Sequence, residues 1–199
     1  QGPRPVNDLL AELFSSKVRA AVLAQMLARP QCWYSLTELS RELGLPVSSL
    51  QHECAKLMRV GLLRDQRAGN VRRYAPEPAF PLIQPLTALV LAALPLTESL
   101  PAAADGVASI ERAWLTGPPQ TRQARPFLVV IGDLGLEELD ALFERARAAT
   151  AAAGTPEIEL AFYPTSEWGR RAASGDAFTA ALAADVAVEM APGAPAAEA

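Results

Sequence analysis

Between residues 35 and 74 the apolar positions recur first with helical and then with strand spacing. Leu36, Leu39 and Leu43 form one helical stripe. Leu50, Cys54 and Leu57 form a second at i, i+4 and i+7. The first stripe opens with Ser35-x-x-Glu38, the reciprocal pairing that caps a helix start, and closes on Gly44, which suits the stop. The second predicts a helix over residues 47–60 that ends at Gly61. Residues 62–65 and 71–75 then read as two strands around a tip at 66–70, with Gly69-Asn70 supplying positive φ.

Upstream, residues 1–7 are Pro-rich and expected to be disordered. A short helix is predicted over 8–14. A longer one is capped by Ser15 or Ser16, carries Val18, Val22, Leu23 and Met26, and stops before Pro30. Residues 32–34 are a short β-prone run. Downstream, residues 76–81 read as a stiff extended link, followed by a helix over 82–94 bent at Pro85. Leu82, Leu86, Leu89 and Val90 are expected to share a face of that helix.

The remaining half follows a β-α-β order. Strands are expected over 107–115, 127–131, 158–163 and 186–190, and helices over 136–153, 166–174 and 177–184. Residues 127–131 are continuously apolar, as in a strand covered on both faces. The tail, 191–199, is expected to be disordered. The fold class is therefore α+β: a winged helix-turn-helix domain over 8–80, a linker and dimerisation helix over 81–95, and an α/β domain over 96–190.

Charge sharpens this division. Residues 1–95 carry 11 Lys/Arg against 7 Asp/Glu, net +4, whereas residues 96–199 carry 7 against 15, net −8. A basic half beside an acidic one implies modules with different partners, and phosphates repel the acidic one. Cys32 and Cys54 are too few for a disulfide framework. They lack a paired metal-ligand spacing, and the chain has a single histidine. Pro81, Gln84, Pro85 and Pro95 interrupt the richest apolar stretch, so no membrane span is expected. A cytoplasmic location is expected, in a bacterial nucleoid-associated pool, with no cofactor and no metal.

The outward face of the 47–60 helix carries Ser48, Ser49, Gln51 and His52, candidates for reading base edges from a recognition helix. Lys56, Arg64, Arg67, Asn70, Arg72 and Arg73 are candidates for holding the phosphate backbone. Double-stranded DNA is the expected partner.

Residues 8–95 resemble the ArsR-like winged helix-turn-helix transcriptional regulators, especially those fused to a minimal nucleotidyltransferase. The residues that carry this are Leu13-Phe14-Ser-Ser-Lys17-Val-Arg19 through Leu23, Leu39…Leu43-Gly44-Leu45, Leu50…Leu57…Gly61-Leu62-Leu63 and Gly69-Asn70-Val-Arg72-Arg73-Tyr74. The resemblance implies DNA binding, a homodimer and a regulatory role. The second half is similar to the nucleotidyltransferase partner of that fusion through Leu115-Thr116-Gly117, Leu128-Val-Val-Ile-Gly132-Asp133, Glu159 and Tyr163-Pro-Thr-Ser-Glu-Trp168.

Active members of that family place a Ser after the Gly and an Asp-x-Asp at the start of the second strand. Here Pro118 and Arg125-Pro126-Phe127 stand in those positions. A guanidinium repels Mg²⁺ and a phenyl ring cannot ligate it, so a catalytically inactive nucleotidyltransferase-like domain is expected rather than an enzyme. Arg122 and Arg125 are the candidate anion-binding residues for a small-molecule effector. The alternatives are an active or antitoxin-type nucleotidyltransferase, and a winged-helix assembly module that binds protein rather than DNA.

Overall fold

The structure, a computed structural model, describes residues 6–117, 125–155 and 157–191. The chain divides into two compact units, Gln1–Pro95 and Leu96–Ala199.

The first unit begins with α1 (Val6–Phe14) and α2 (Lys17–Ala28). Helix therefore starts at Val6, inside the stretch expected to be disordered. Ser16, not Ser15, caps α2: its Oγ accepts the Arg19 N–H at 3.2 Å. Ser15 turns the chain between the helices with a φ of 51°.

Strand β1 is Tyr34–Ser35, later than the β-prone run at 32–34. Ser35 also caps α3 (Leu36–Leu43). Its Oγ accepts the Glu38 N–H at 3.2 Å while Glu38 Oε2 accepts the Ser35 N–H at 2.7 Å. Gly44 takes the left-handed φ of 64° that ends α3. The next helix, α4 (Val47–Arg59), follows Pro46 without a side-chain cap.

Strands β2 (Leu63–Ala68) and β3 (Val71–Pro76) complete an antiparallel sheet in the order β1-β3-β2. The hairpin is tighter than its sequence suggests. Pairing continues to Ala68↔Val71, leaving a two-residue turn in which Gly69 alone has positive φ, at 61°. One positive φ at the first turn position is the type II′ pattern, whose twist matches that of paired strands.

Residues 77–82 are not an extended link. They form successive turns closed by Phe80 N–H to Glu77 O and Ile83 N–H to Phe80 O, each 3.0 Å. Phe80 thereby reaches the core. In α5 (Ile83–Ala93), Pro85 is the third residue, where a helical N–H has no intrahelical acceptor, so the proline costs no hydrogen bond.

The core of this unit gathers Leu10, Val22, Leu23, Met26, Leu27, Leu39, Leu50, Cys54, Leu57, Leu63, Tyr74 and Val90. Each fully buried aliphatic side chain contributes about 1.5–3 kcal/mol relative to exposure. Val90 belongs to this core at 0 % exposure, while Leu82 and Leu89 are exposed. Of the four residues expected to share a face, Leu86 and Val90 pack on the core, Leu89 is exposed, and Leu82 precedes the helix.

The second unit opens with α6 (Leu96–Ala104), which the pattern does not announce because Pro101 sits inside it. Burial of Leu100, Ala102 and Ala103 stabilises it regardless. There follow β4 (Ile110–Leu115), β5 (Phe127–Gly132), α7 (Leu136–Ala152), β6 (Glu159–Tyr163), α8 (Thr165–Ala173), α9 (Ala177–Ala184) and β7 (Val188–Ala191). Strand β4 starts three residues later than expected, after a turn. The sheet order is β6-β5-β4-β7. The β5–β6 pair is parallel and its neighbours are antiparallel. Parallel pairing needs a long crossover, which α7 supplies.

Both faces of β5 are covered. Leu128 and Val130 join Leu139, Leu142 and Ala146 of α7. Val129 and Ile131 join Trp114, Tyr163 and Leu182 on the other face. The continuously apolar run is thus explained by three layers. Among the described residues, no helix is long and apolar enough to cross a membrane.

Candidate nucleic-acid interface

Four positions of α4 point inward: Leu50, Glu53, Cys54 and Leu57. A carboxylate on that stripe requires a counter-charge. Arg19 of α2 provides it, with Nε 2.6 Å from Glu53 Oε1, and Lys56 Nζ lies 3.8 Å from the other oxygen. The Glu53 side chain is 5 % exposed. This pair ties α4 to α2, and no sequence motif announces it. The available signal was positional, since residue 53 is i+3 from Leu50 and i−4 from Leu57. Burial beside Glu53 pushes the Cys54 thiol up to about 11.

With that face inward, Ser48, Gln51 and His52 are exposed, together with Ala55 and Arg59. Ser49 is half-buried at the edge of the face. Lys56 is half-buried too, turned toward Glu53.

Strand alternation sorts the hairpin cations onto two faces. Directly paired residues share a face, and successive pairs alternate. The pairs Leu63↔Pro76, Asp65↔Tyr74 and Arg67↔Arg72 lie on one face. Arg64↔Ala75, Gln66↔Arg73 and Ala68↔Val71 lie on the other. Leu63 and Tyr74 are in the same core cluster as Leu50, Cys54 and Leu57, so the first face is the α4 side.

Arg67 and Arg72 therefore stand on the α4 side, both exposed. Arg72 Nε donates to Asp65 Oδ2 at 2.6 Å, and its guanidinium lies 5.4 Å from the centre of the Tyr74 ring. This hydrogen bond holds the Asp65 carboxyl below the usual carboxylate range. Asn70 is exposed at the tip.

On the opposite face Gln66, Ala68 and Val71 are exposed, and the two arginines there also meet the protein. Arg64 lies over Trp33, 5.0 Å from the ring centre. Arg73 donates to Glu38 Oε1 at 2.6 Å and to the Trp33 carbonyl at 3.3 Å. Glu38 is thus shared by the α3 cap and the hairpin. The Ser35 N–H, and then Arg73, hold its carboxyl below the usual range. Adjacent in sequence, Arg72 and Arg73 differ in surroundings: one is on the α4 side, the other braces α3.

In the second unit, Gly117 N–H donates to Asp185 Oδ1 at 3.0 Å, and a Cβ at position 117 would lie only 2.9 Å from that oxygen. Pro118 and Arg122 lie outside the described residues. Arg125 pairs with Glu157 at 2.9 Å. Phe127, the first residue of β5, is in register with Glu159 and meets Phe178 edge-on at 5.7 Å. Among the described residues, no three His, Cys, Asp or Glu side chains cluster as metal ligands would. No family model, curated protein or solved structure matches this chain.

Proposed function

We propose that the protein is a sequence-specific double-stranded DNA-binding transcriptional regulator whose first unit is a winged helix-turn-helix. The observation that carries this reading is the shared side of two elements: the polar face of α4, with Ser48, Gln51 and His52, and the hairpin face bearing Arg67 and Arg72. A helix of this kind presents amide and imidazole groups to a major groove, and a basic hairpin beside it meets phosphate. Gln51 suits a bidentate contact to adenine; His52 suits guanine or phosphate. On this reading Arg67 and Arg72 hold the backbone, Asn70 lies at the wing tip, and Arg64 and Arg73 stabilise the wing from behind.

The active form is a homodimer. Leu9 and Leu13 of α1, with Leu82 and Leu89 at and within α5, are exposed apolar residues on two helices that touch each other. A two-fold dimer reads a pseudo-palindromic site. The second unit serves as a nucleotidyltransferase-like domain without catalysis, a reading supported by the identities of Arg125 and Phe127 where active members of the family it resembles carry metal-binding carboxylates.

Fluorescence anisotropy on the DNA upstream of the protein's own gene and on a scrambled duplex, across a salt series, tests the proposal. Tighter binding to the upstream DNA, with both duplexes weakening as salt rises, is the expected result. Gln51→Ala should relax the preference and leave scrambled-duplex binding unchanged. Absence of binding even at low salt would overturn the reading in favour of a protein-assembly module.

A further inference from the structure

On the α4 side of the hairpin, Arg67 and Arg72 are directly opposed across the strands. Like charges in that position repel. Asp65 lies on the same face, two residues before Arg67 and diagonal to Arg72, and its carboxylate takes the Arg72 Nε. The pair is open to solvent, with side-chain exposures of 53 % for Arg72 and 28 % for Asp65. Tyr74 is the direct cross-strand neighbour of Asp65, and Arg67 on the same face attracts its carboxylate. A charged oxygen held on a guanidinium by a short hydrogen bond has the chemistry of a phosphate contact.

We infer that Asp65 is an internal competitor for phosphate on the wing: it occupies Arg72 in the free protein, and a duplex must displace it to engage that arginine. The inference rests on the DNA-binding reading and refines it. Binding exchanges a carboxylate–arginine pair for a phosphate–arginine pair. The released Asp65 then recruits a cation from solution, which offsets part of the counterion release at the DNA. The wing consequently grips every duplex less tightly than its arginines allow, leaving the contacts of α4 a larger share in choosing the site.

The test uses the full chain, a fluorescein-labelled duplex of mixed sequence and anisotropy across a salt series, with wild type, Asp65→Asn, Arg72→Ala and the double variant. Asp65→Asn is expected to bind about two- to fivefold tighter, the range of an exposed ion pair. Its log–log salt slope should steepen by up to about 0.9, the value for one phosphate contact. In the Arg72→Ala background the gain should shrink to the small effect of removing any nearby negative charge. Asp65→Ser provides a second variant, with circular dichroism confirming the fold of each.

An equal gain in both backgrounds would overturn the inference, because Asp65 would then act only as a general repulsive charge. Weaker binding by Asp65→Asn would overturn it as well, making the carboxylate a positioning group for Arg72. Binding by Asp65→Asn and not by wild type would support it in its strongest form. Failure of every variant to bind would remove the DNA reading itself and the inference with it, an outcome distinct from the other failures because wild type then shows no salt-dependent affinity.

Discussion

Replacing Arg19 by Met should loosen α4 more than replacing its partner Glu53 by Gln. The reason is the unequal burial of the pair. Glu53 keeps 5 % of its side chain in water, Arg19 34 %. Removing the arginine strands a carboxylate in the core, whereas removing the carboxylate leaves a guanidinium that rehydrates. An orphaned buried charge costs about 3–5 kcal/mol. Lys56 at 3.8 Å and the partial exposure of Arg19 lower this to about 2–3 kcal/mol. Glu53→Gln should cost about 1 kcal/mol, the value of one hydrogen bond. Arg19→Met/Glu53→Met, which removes both charges, should be milder than Arg19→Met alone.

Hydrogen exchange on the full chain resolves these effects by region, with β5 of the second unit as an internal reference. For Arg19→Met, about 2–3 kcal/mol corresponds to exchange roughly 30–150 times faster across residues 50–57. Equal acceleration by Arg19→Met and Glu53→Gln, or a double variant no milder than Arg19→Met alone, would refute the argument. It would mean that the pair acts through packing rather than through a buried charge.

Other substitutions separate the two arginines and probe the cores. Arg67→Ala/Arg72→Ala should weaken binding to all duplexes and flatten the salt slope by about 0.9 to 1.8, the lower figure applying where Asp65 offsets the whole Arg72 contribution, whereas Arg73→Ala should leave the slope unchanged and lower the melting temperature; anisotropy and calorimetry distinguish them. Because the folded-state pKa of Glu38 is depressed, its contribution to stability is present above the ordinary value of 4.5 and is lost as pH falls through the folded value. The melting-temperature gap between wild type and Glu38→Gln should therefore be widest near neutral pH and close under acid; a constant gap would count against the charged cap. Cys54, fully buried with its pKa raised to about 11, should resist a thiol reagent at pH 8 until the protein unfolds, while the half-buried Cys32 reacts first; mass spectrometry of partly labelled protein assigns the order.

Much of the first unit is legible in the sequence because its signals are local. The Ser35/Glu38 cap, the Gly44 stop, the Leu50–Cys54–Leu57 stripe and the Gly69 turn each depend on residues within one or two turns of chain, so spacing alone places them. The covered strand at 127–132 is legible for a related reason: only a strand buried on both faces tolerates an unbroken apolar run. Helix α6 is not, because Pro101 argues against a helix locally and the burial that outweighs it comes from distant elements.

The candidate interface divides the same way. Residue type and helical phase are enough to put Ser48, Gln51 and His52 outward. Tertiary packing decides which cations remain exposed on that side. Arg72 and Arg73 are neighbours in sequence, yet strand alternation sends them to opposite faces, where one meets Asp65 and the other Glu38 of a different element. Arg19 and Glu53 are 34 residues apart and meet only because α2 and α4 share a core. Likewise Val90 is spoken for by that core and Leu89 is not. Local pattern encodes which element forms and which face is apolar; charge pairing and burial depend on which elements the folded chain brings within a few ångströms of one another.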